Sequence, residues 1–327
     1  MKQDPAERLL EYENAVEQAN RARDEPLSSD VVKRIEQLIE DSESTDDPVF
    51  QVNCLQLIAD LACSPQAFKL LEEKQVPQKL IKLLQAEDPL IVPHALKLFY
   101  RANPALLEVK YKEVIDKICD YCQSDNRQLY DYAIDFLASL GRGGWAARKV
   151  LAGHPQFAEK CLKQLGTSII SSDSLIKSRA LKCIHDLIEV HEDDPVADAS
   201  TLSESFYFTI ISGEHRMTNQ LFALCKYPFM EIRVNALLVV GSIAGTEWGQ
   251  KELASHPEFV TWILDRSTEK CKEGKEAKFE ILKTLVKSRT ATRHFKGEDY
   301  MKMRADFKKG PFHVGIAEEM LLDEKTG

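Results

Sequence analysis

Glycine and proline are scarce in this chain, 14 and 13 among 327 residues. No alternating run of apolar and polar residues of strand length stands out, so a sheet-rich domain with its tight turns is excluded and an all-α fold is expected. Absent too is any apolar run approaching the ~18 residues of a membrane-crossing helix. The first residues lead into an acidic helical segment instead of the apolar core of a signal peptide. These absences predict a soluble intracellular protein, working in the cytoplasm with the nucleus as a second compartment. Eight cysteines are present, and most fall on apolar faces of predicted helices. In a chain of this kind they read as small buried side chains kept reduced, not as a disulfide framework. A net charge of −9 excludes nucleic-acid binding by the protein as a whole.

What the chain does have is repetition. Residues 231–264 read as three helical pieces: Ile232, Ala236, Val239, Val240 and Ile243 share one stripe, Gly245 breaks the run, and a helix over 247–255 is followed by one introduced by His256-Pro257. Residues 134–162 repeat the plan, with Trp145 and Trp248 103 residues apart and Pro155 and Pro257 102 apart. A nine-residue pattern of small or apolar, x, x, apolar, apolar, x, x, apolar, apolar begins at Cys54, Ala95, Ala133, Ala180, Ala236 and Lys278, at intervals of 41, 38, 47, 56 and 42 residues. These intervals bracket the ~40–47 residue period of HEAT and armadillo repeats. A helix pair or triplet of that size cannot bury its apolar faces alone, so neighbours must stack. The expectation is a right-handed armadillo/HEAT-like α-solenoid of about six repeats. The longest interval holds an acidic loop at 191–200, the expected place of an insertion.

Three regions follow from this. Residues 1–47 carry a net charge of −8 and two helical stripes, and read as an acidic cap that ends in a solvated connector at 41–47. Residues 48–309 form the solenoid, within which a long helix over 171–192 is expected to be capped by Ser172 or Asp173. Residues 310–327 form a short hook and an acidic tail. The last part of the solenoid, 270–309, carries +7. Its lysines alternate with glutamates, which favours a solvated helix face over a docking patch.

Constellations that carry chemistry are few. Cys119-x-x-Cys122 is half a zinc site, but no second pair of ligands at suitable spacing accompanies it, so two packing residues are expected. Gly141-Arg142-Gly143-Gly144 lacks the preceding strand and following Lys-Ser/Thr of a phosphate loop and aligns with the turn at 244–247. His185, Glu189, His191 and Glu192 do not keep the three- or four-residue spacing of ligands on one helix face, His185 and His191 being six apart. His154 and His256 precede proline in equivalent positions and read as turn residues. With no nucleophile-base pair, no G-x-S-x-G and no paired carboxylates in a cleft, neither catalysis, nor a metal, nor a cofactor is expected.

The third and seventh positions of the repeated pattern lie four apart on one helix face. They are Gln56 and Asp60, Lys97 and Arg101, Asp135 and Ser139, Lys182 and Asp186, Leu238 and Ser242, Glu280 and Thr284. Eleven of the twelve are polar while their apolar neighbours repeat, which is what a solvated concave groove predicts. They are the expected partner-binding residues. The ladder has neither the tryptophan nor the asparagine array with which armadillo importins grip basic peptides.

From Trp248 onward the segments EWGQKEL, HPEFVTWILDRS, EAKFEILKTLVKS, GEDYMKMRADF and GPFHV resemble the C-terminal end of the 26S proteasome non-ATPase regulatory subunit 5 family, and DYAIDFLASLGRGGWAARKVL and VNCLQLIADLA are compatible with its inner repeats. The resemblance implies a solenoid without enzymatic activity or cofactor, monomeric when free. Its implied role is that of a chaperone in assembly of the proteasome regulatory particle, binding the C-terminal domain of an AAA ATPase subunit of the base and leaving before the particle is complete. Family members carry several more repeats ahead of the region matching Pro48, where this chain has a short acidic segment, so a shorter groove is expected. The alternative is a constitutive scaffold or transport adaptor of the armadillo type.

Overall fold

The computed structural model describes residues 4–22, 25–211 and 217–313. Among them there is no strand, and no helix is long and apolar enough to cross a membrane. The chain divides into two compact units, residues 1–161 and 162–327. The first contains α1 (Pro5–Ala22), α2 (Ser29–Ser44), α3 (Pro48–Asp60), α4 (Pro65–Glu73), α5 (Val76–Leu84), α6 (Val92–Arg101), α7 (Pro104–Val109), α8 (Lys112–Cys122), α9 (Arg127–Arg142) and α10 (Trp145–Gly153). The second contains α11 (Lys163–Ile169), α12 (Ser174–Ile188), α13 (Val196–Ile210), α14 (Met217–Leu224), α15 (Met230–Ala244), α16 (Glu247–Ser255), α17 (Phe259–Leu264), α18 (Lys272–Lys287), α19 (Ala291–His294) and α20 (Gly297–Phe307). A π-helix at Phe157–Leu162 replaces the α-helix that the repeat predicts there.

Helix starts are written into the sequence as a cap followed by proline. Asp47 accepts hydrogen bonds from the backbone N–H groups of Val49 and Phe50, Ser64 from that of Ala67 and Asn103 from that of Ala105. In each case proline follows directly, at the position where its missing N–H has no partner to lose. Asp173, one of the two expected caps, holds the N–H groups of Leu175 and Ile176 at the start of α12.

The six copies of the nine-residue pattern lie on α3, α6, α9, α12, α15 and α18, every third helix. In the first unit α3 packs on α6 and α6 on α9; in the second α12 packs on α15 and α15 on α18. The pattern explains the packing. Its first, fourth and fifth positions are buried in all six copies, among them Ala95, Leu98 and Phe99 of α6 and Ala236, Val239 and Val240 of α15. A small first residue lets the next helix approach closely. These stacked helical repeats are of the armadillo/HEAT kind, as the period predicts.

Boundaries differ from expectation in three places, the first being the long helix expected over 171–192, which runs only from Ser174 to Ile188. The connector expected at 41–47 is helical as far as Ser44, and Asp41 is tied down there by the Arg8 guanidinium and the Tyr12 hydroxyl at 2.5 and 2.6 Å. The acidic loop expected at 191–200 turns helical from Val196. The acidic tail expected at the end of the chain lies, beyond His313, outside the described residues.

Candidate protein-binding face

In the first unit the ladder residues meet. Asp60, at the end of α3, accepts hydrogen bonds from Gln56 Nε2 at 3.1 and 3.2 Å, lies 3.5 Å from Lys97 Nζ on α6 and pairs with the Arg101 guanidinium. All four arrive at one spot because the pattern repeats in register on two stacked helices. The Asp60, Lys97 and Arg101 side chains keep 27%, 19% and 33% of their exposure, so the cluster is solvated but ordered. On α9, Asp135 is exposed, and Ser139 donates to the Asp135 carbonyl while accepting from Arg142.

In the second unit the ladder is partly withdrawn from solvent. Lys182 reaches Asp186 at 2.8 Å, yet Asp186 is only 1% exposed, and Ser242 is 7% exposed. Both belong to the interior between α12 and α15, which corrects their placement on an open face. The reason is close packing: Ser242 faces His185, whose Nδ1 lies 2.6 Å from its hydroxyl oxygen. Leu238, Lys182 and Thr284 are half-buried and Glu280 is exposed, paired to Lys283.

Around this seam lie polar residues outside the ladder. Asn235 donates to the Ser178 carbonyl and hydroxyl at 3.1 and 2.9 Å, and Ser178 donates to Glu231 at 2.8 Å. The spacing carried the signal, since Ser178 lies four residues before Lys182. His185 is buried between two repeats, and that burial lowers its pKa below the ordinary histidine value. Ser242, His185 and Glu189, the last 3.5 Å from His185 Nε2, superficially resemble a nucleophile, base and orienting acid. Yet the Ser242 hydroxyl lies within its own helix, 3.2 Å from the Leu238 carbonyl. Ser242 is 7% exposed, so its hydroxyl is not presented to solvent as a nucleophile's is.

The remaining motifs resolve structurally. Gly141 and Arg142 end α9, and Gly143-Gly144 joins it to α10, with Gly144 at φ 84°, a conformation that favours glycine. His154 and His256 each receive a backbone hydrogen bond from the residue three positions on, at Phe157 and Phe259, which fixes the turn before the next helix. Cys119 and Cys122 are buried, and here the structure adds what the spacing did not supply. Cys161 Sγ lies 3.6 Å from Cys119 Sγ, and His154 Nδ1 lies 3.8 Å from it. Even so, no group of three or more His, Cys, Asp or Glu among the described residues is placed to hold a metal ion. The hydrogen bond to Cys161, together with burial, pushes the Cys119 thiol well above its usual range, so it packs as an uncharged group.

Comparison with known proteins adds a family. Residues 1–320 match the model of the proteasome non-ATPase 26S subunit family. Among curated proteins the chain is similar to 26S proteasome non-ATPase regulatory subunit 5 of Bos taurus and of Homo sapiens, 24% identical over 279 residues in each. The match covers 82% of this chain and 54% of those proteins, so the chain spans about half their length. Among solved structures it is similar to an engineered protein, with a TM-score of 0.52 at 15% identity over 93% of this chain and 74% of that one.

Proposed function

Because this chain belongs to the proteasome non-ATPase 26S subunit family, we propose that it is a non-catalytic chaperone for assembly of the 26S proteasome regulatory particle. In this reading it works in the cytoplasm and nucleus and holds the C-terminal domain of an AAA ATPase subunit of the base for a limited time. One observation carries the reading: Asp60, Lys97 and Arg101, with Gln56 hydrogen-bonded to Asp60, present ordered and solvated charge at one register of stacked helices. Such a face selects a partner by charge complementarity, which speeds encounter and sets orientation without demanding extreme affinity. Release, which a chaperone requires, is compatible with contacts of that kind.

The test is capture of the chain with its partners from cells, scored by mass spectrometry for base ATPase subunits and for core-particle subunits. Base subunits without core-particle subunits are expected. Lys97→Gln combined with Arg101→Gln should lower that capture at least about tenfold, the effect of losing contacts worth ~1.4 kcal/mol. Exchange of the exposed Lys69 and Lys112 should leave it unchanged. Stoichiometric recovery with mature particles would instead support a constitutive scaffold, and equal capture by both double variants would remove the face from consideration.

A further inference from the structure

Residues 287–296, KSRTATRHFK, carry Lys287, Arg289, Arg293 and Lys296 and no carboxylate. The stretch runs from the last residue of α18 to the one before α20, and α19 is its one turn of helix. Elsewhere on these helices Lys283 and Lys302 find acids within a turn, at Glu280 and Glu298. Here the one acid paired with the stretch, among the described residues, comes from α16: Glu247 lies 2.9 Å from the Arg293 guanidinium and 3.4 Å from His294 Nε2. Arg289 is exposed and forms no ion pair among the described residues.

The stretch holds three hydroxyls in different states. Ser288 accepts a hydrogen bond from Gln250 Nε2 at 2.9 Å and Thr290 donates to Gln250 Oε1 at 2.7 Å, so both are tied to α16. Thr292 is exposed, and its hydroxyl makes no hydrogen bond among the described residues. It is also the one serine or threonine of the whole sequence with arginine three positions before it. An unpaired guanidinium therefore stands at a fixed distance along the chain from a free hydroxyl.

Protein kinases choose hydroxyls by access and by the charges around them, an acidic pocket of the enzyme reading a basic residue at a set position. They take the target segment extended, so the turn must open. A single turn of helix is marginal by itself. Within 289–293 only Ala291 is buried, and an alanine loses little on exposure. We propose that Thr292 is a phosphorylation site for a protein kinase that reads arginine at the third position before its target. Thr292 Oγ1 attacks the γ-phosphorus of ATP, the bond from that phosphorus to the β-phosphate oxygen breaks, ADP leaves, and the hydroxyl proton passes to the catalytic carboxylate of the kinase. The phosphate brings a charge of about −1.5 to −2 to a stretch of +4. Next to Arg293 in sequence, it competes with Glu247 for that guanidinium and loosens α19 from α16. The inference does not rest on the chaperone reading, and either can fail without the other.

The experiment incubates the full chain with MgATP and calcium/calmodulin-dependent protein kinase II, a kinase that reads arginine at this position, and follows it by mass spectrometry with fragmentation. One phosphoryl group is expected on Thr292. Arg289→Ala should slow its addition at least about tenfold, the effect of losing one charge-assisted contact worth ~1.4 kcal/mol. Lys287→Ala should leave the rate within about twofold, since it removes an equal charge from a position the kinase does not read. Both side chains are exposed, so both variants keep the fold. In the phosphorylated chain, hydrogen exchange at the Phe295 amide, bonded to the Ala291 carbonyl at 3.0 Å, should quicken at least about threefold. Absence of phosphate on Thr292, or an equal rate in Arg289→Ala, would overturn the site. Unchanged exchange at Phe295 would overturn the loosening of α19.

Discussion

Replacing Asp60 by alanine removes one acceptor from three donors at once. Gln56, Lys97 and Arg101 all lean on it, and the carboxylate connects α3 to α6 where their apolar stripes end. The side chains keep between 19% and 33% of their exposure, so solvent screens each ion pair and each contributes only ~0.2–1 kcal/mol. Two such pairs and one hydrogen bond of similar weight sum to about 1–2 kcal/mol. Nothing apolar is lost beyond the Cβ neighbourhood, so no cavity adds to this. The assay is a double-mutant cycle in urea, comparing Asp60→Ala, Arg101→Ala and the double variant. A coupling of about 0.5–1 kcal/mol is expected between the two, with Asp60→Ala alone costing more than Arg101→Ala because it also releases Lys97 and Gln56. A coupling indistinguishable from zero would mean that solvent carries these charges and that the cluster is not an ordered feature of the face.

Two further outcomes follow from the same coordinates. Gly249→Ala should destabilise by about 1–3 kcal/mol or more, because the new Cβ would lie 1.9 Å from the Ile243 carbonyl oxygen and the backbone must move. Gly153→Ala, with nothing within 4 Å of the added carbon, should stabilise α10 by roughly 0.4–1 kcal/mol. Urea midpoints that move in the same direction for both would refute the close-packing argument. The third outcome concerns pH. Lys278, buried on α18, titrates at about 8 in the folded chain and at its ordinary 10.5 when unfolded. The unfolded chain therefore binds more protons between those values, and this residue's contribution rises with pH from about 8 toward 10.5 and is lost as pH falls through the folded value. Subtracting the stability profile of Lys278→Met from that of the wild type should isolate this rise; a flat difference would show that the ammonium is solvated.

Much of the fold was legible before any coordinate. The nine-residue pattern located every third helix, and the cap at Asp173 was read correctly, because a cap acts within a few residues of itself. The helix over 247–255 and the turns at His154 and His256 were likewise local matters. The site was legible only in part. Spacing alone put Gln56, Asp60, Lys97 and Arg101 on one face, and they do meet in the first unit. The identical spacing put Asp186 and Ser242 on that face too, yet both are buried.

The sequence by itself determined which residues are helical, which stripe of each helix is apolar and where the repeat recurs, since these depend on neighbours within a turn or two. Only the tertiary structure decided which polar residues stay in solvent. It also decided which cysteine and histidine join Cys119, and that Gln250 ties down Ser288 and Thr290 but not Thr292. Those outcomes depend on how closely two helices some forty residues apart approach each other. That distance is set by the volumes of all the side chains between them, a sum no single stretch of sequence contains.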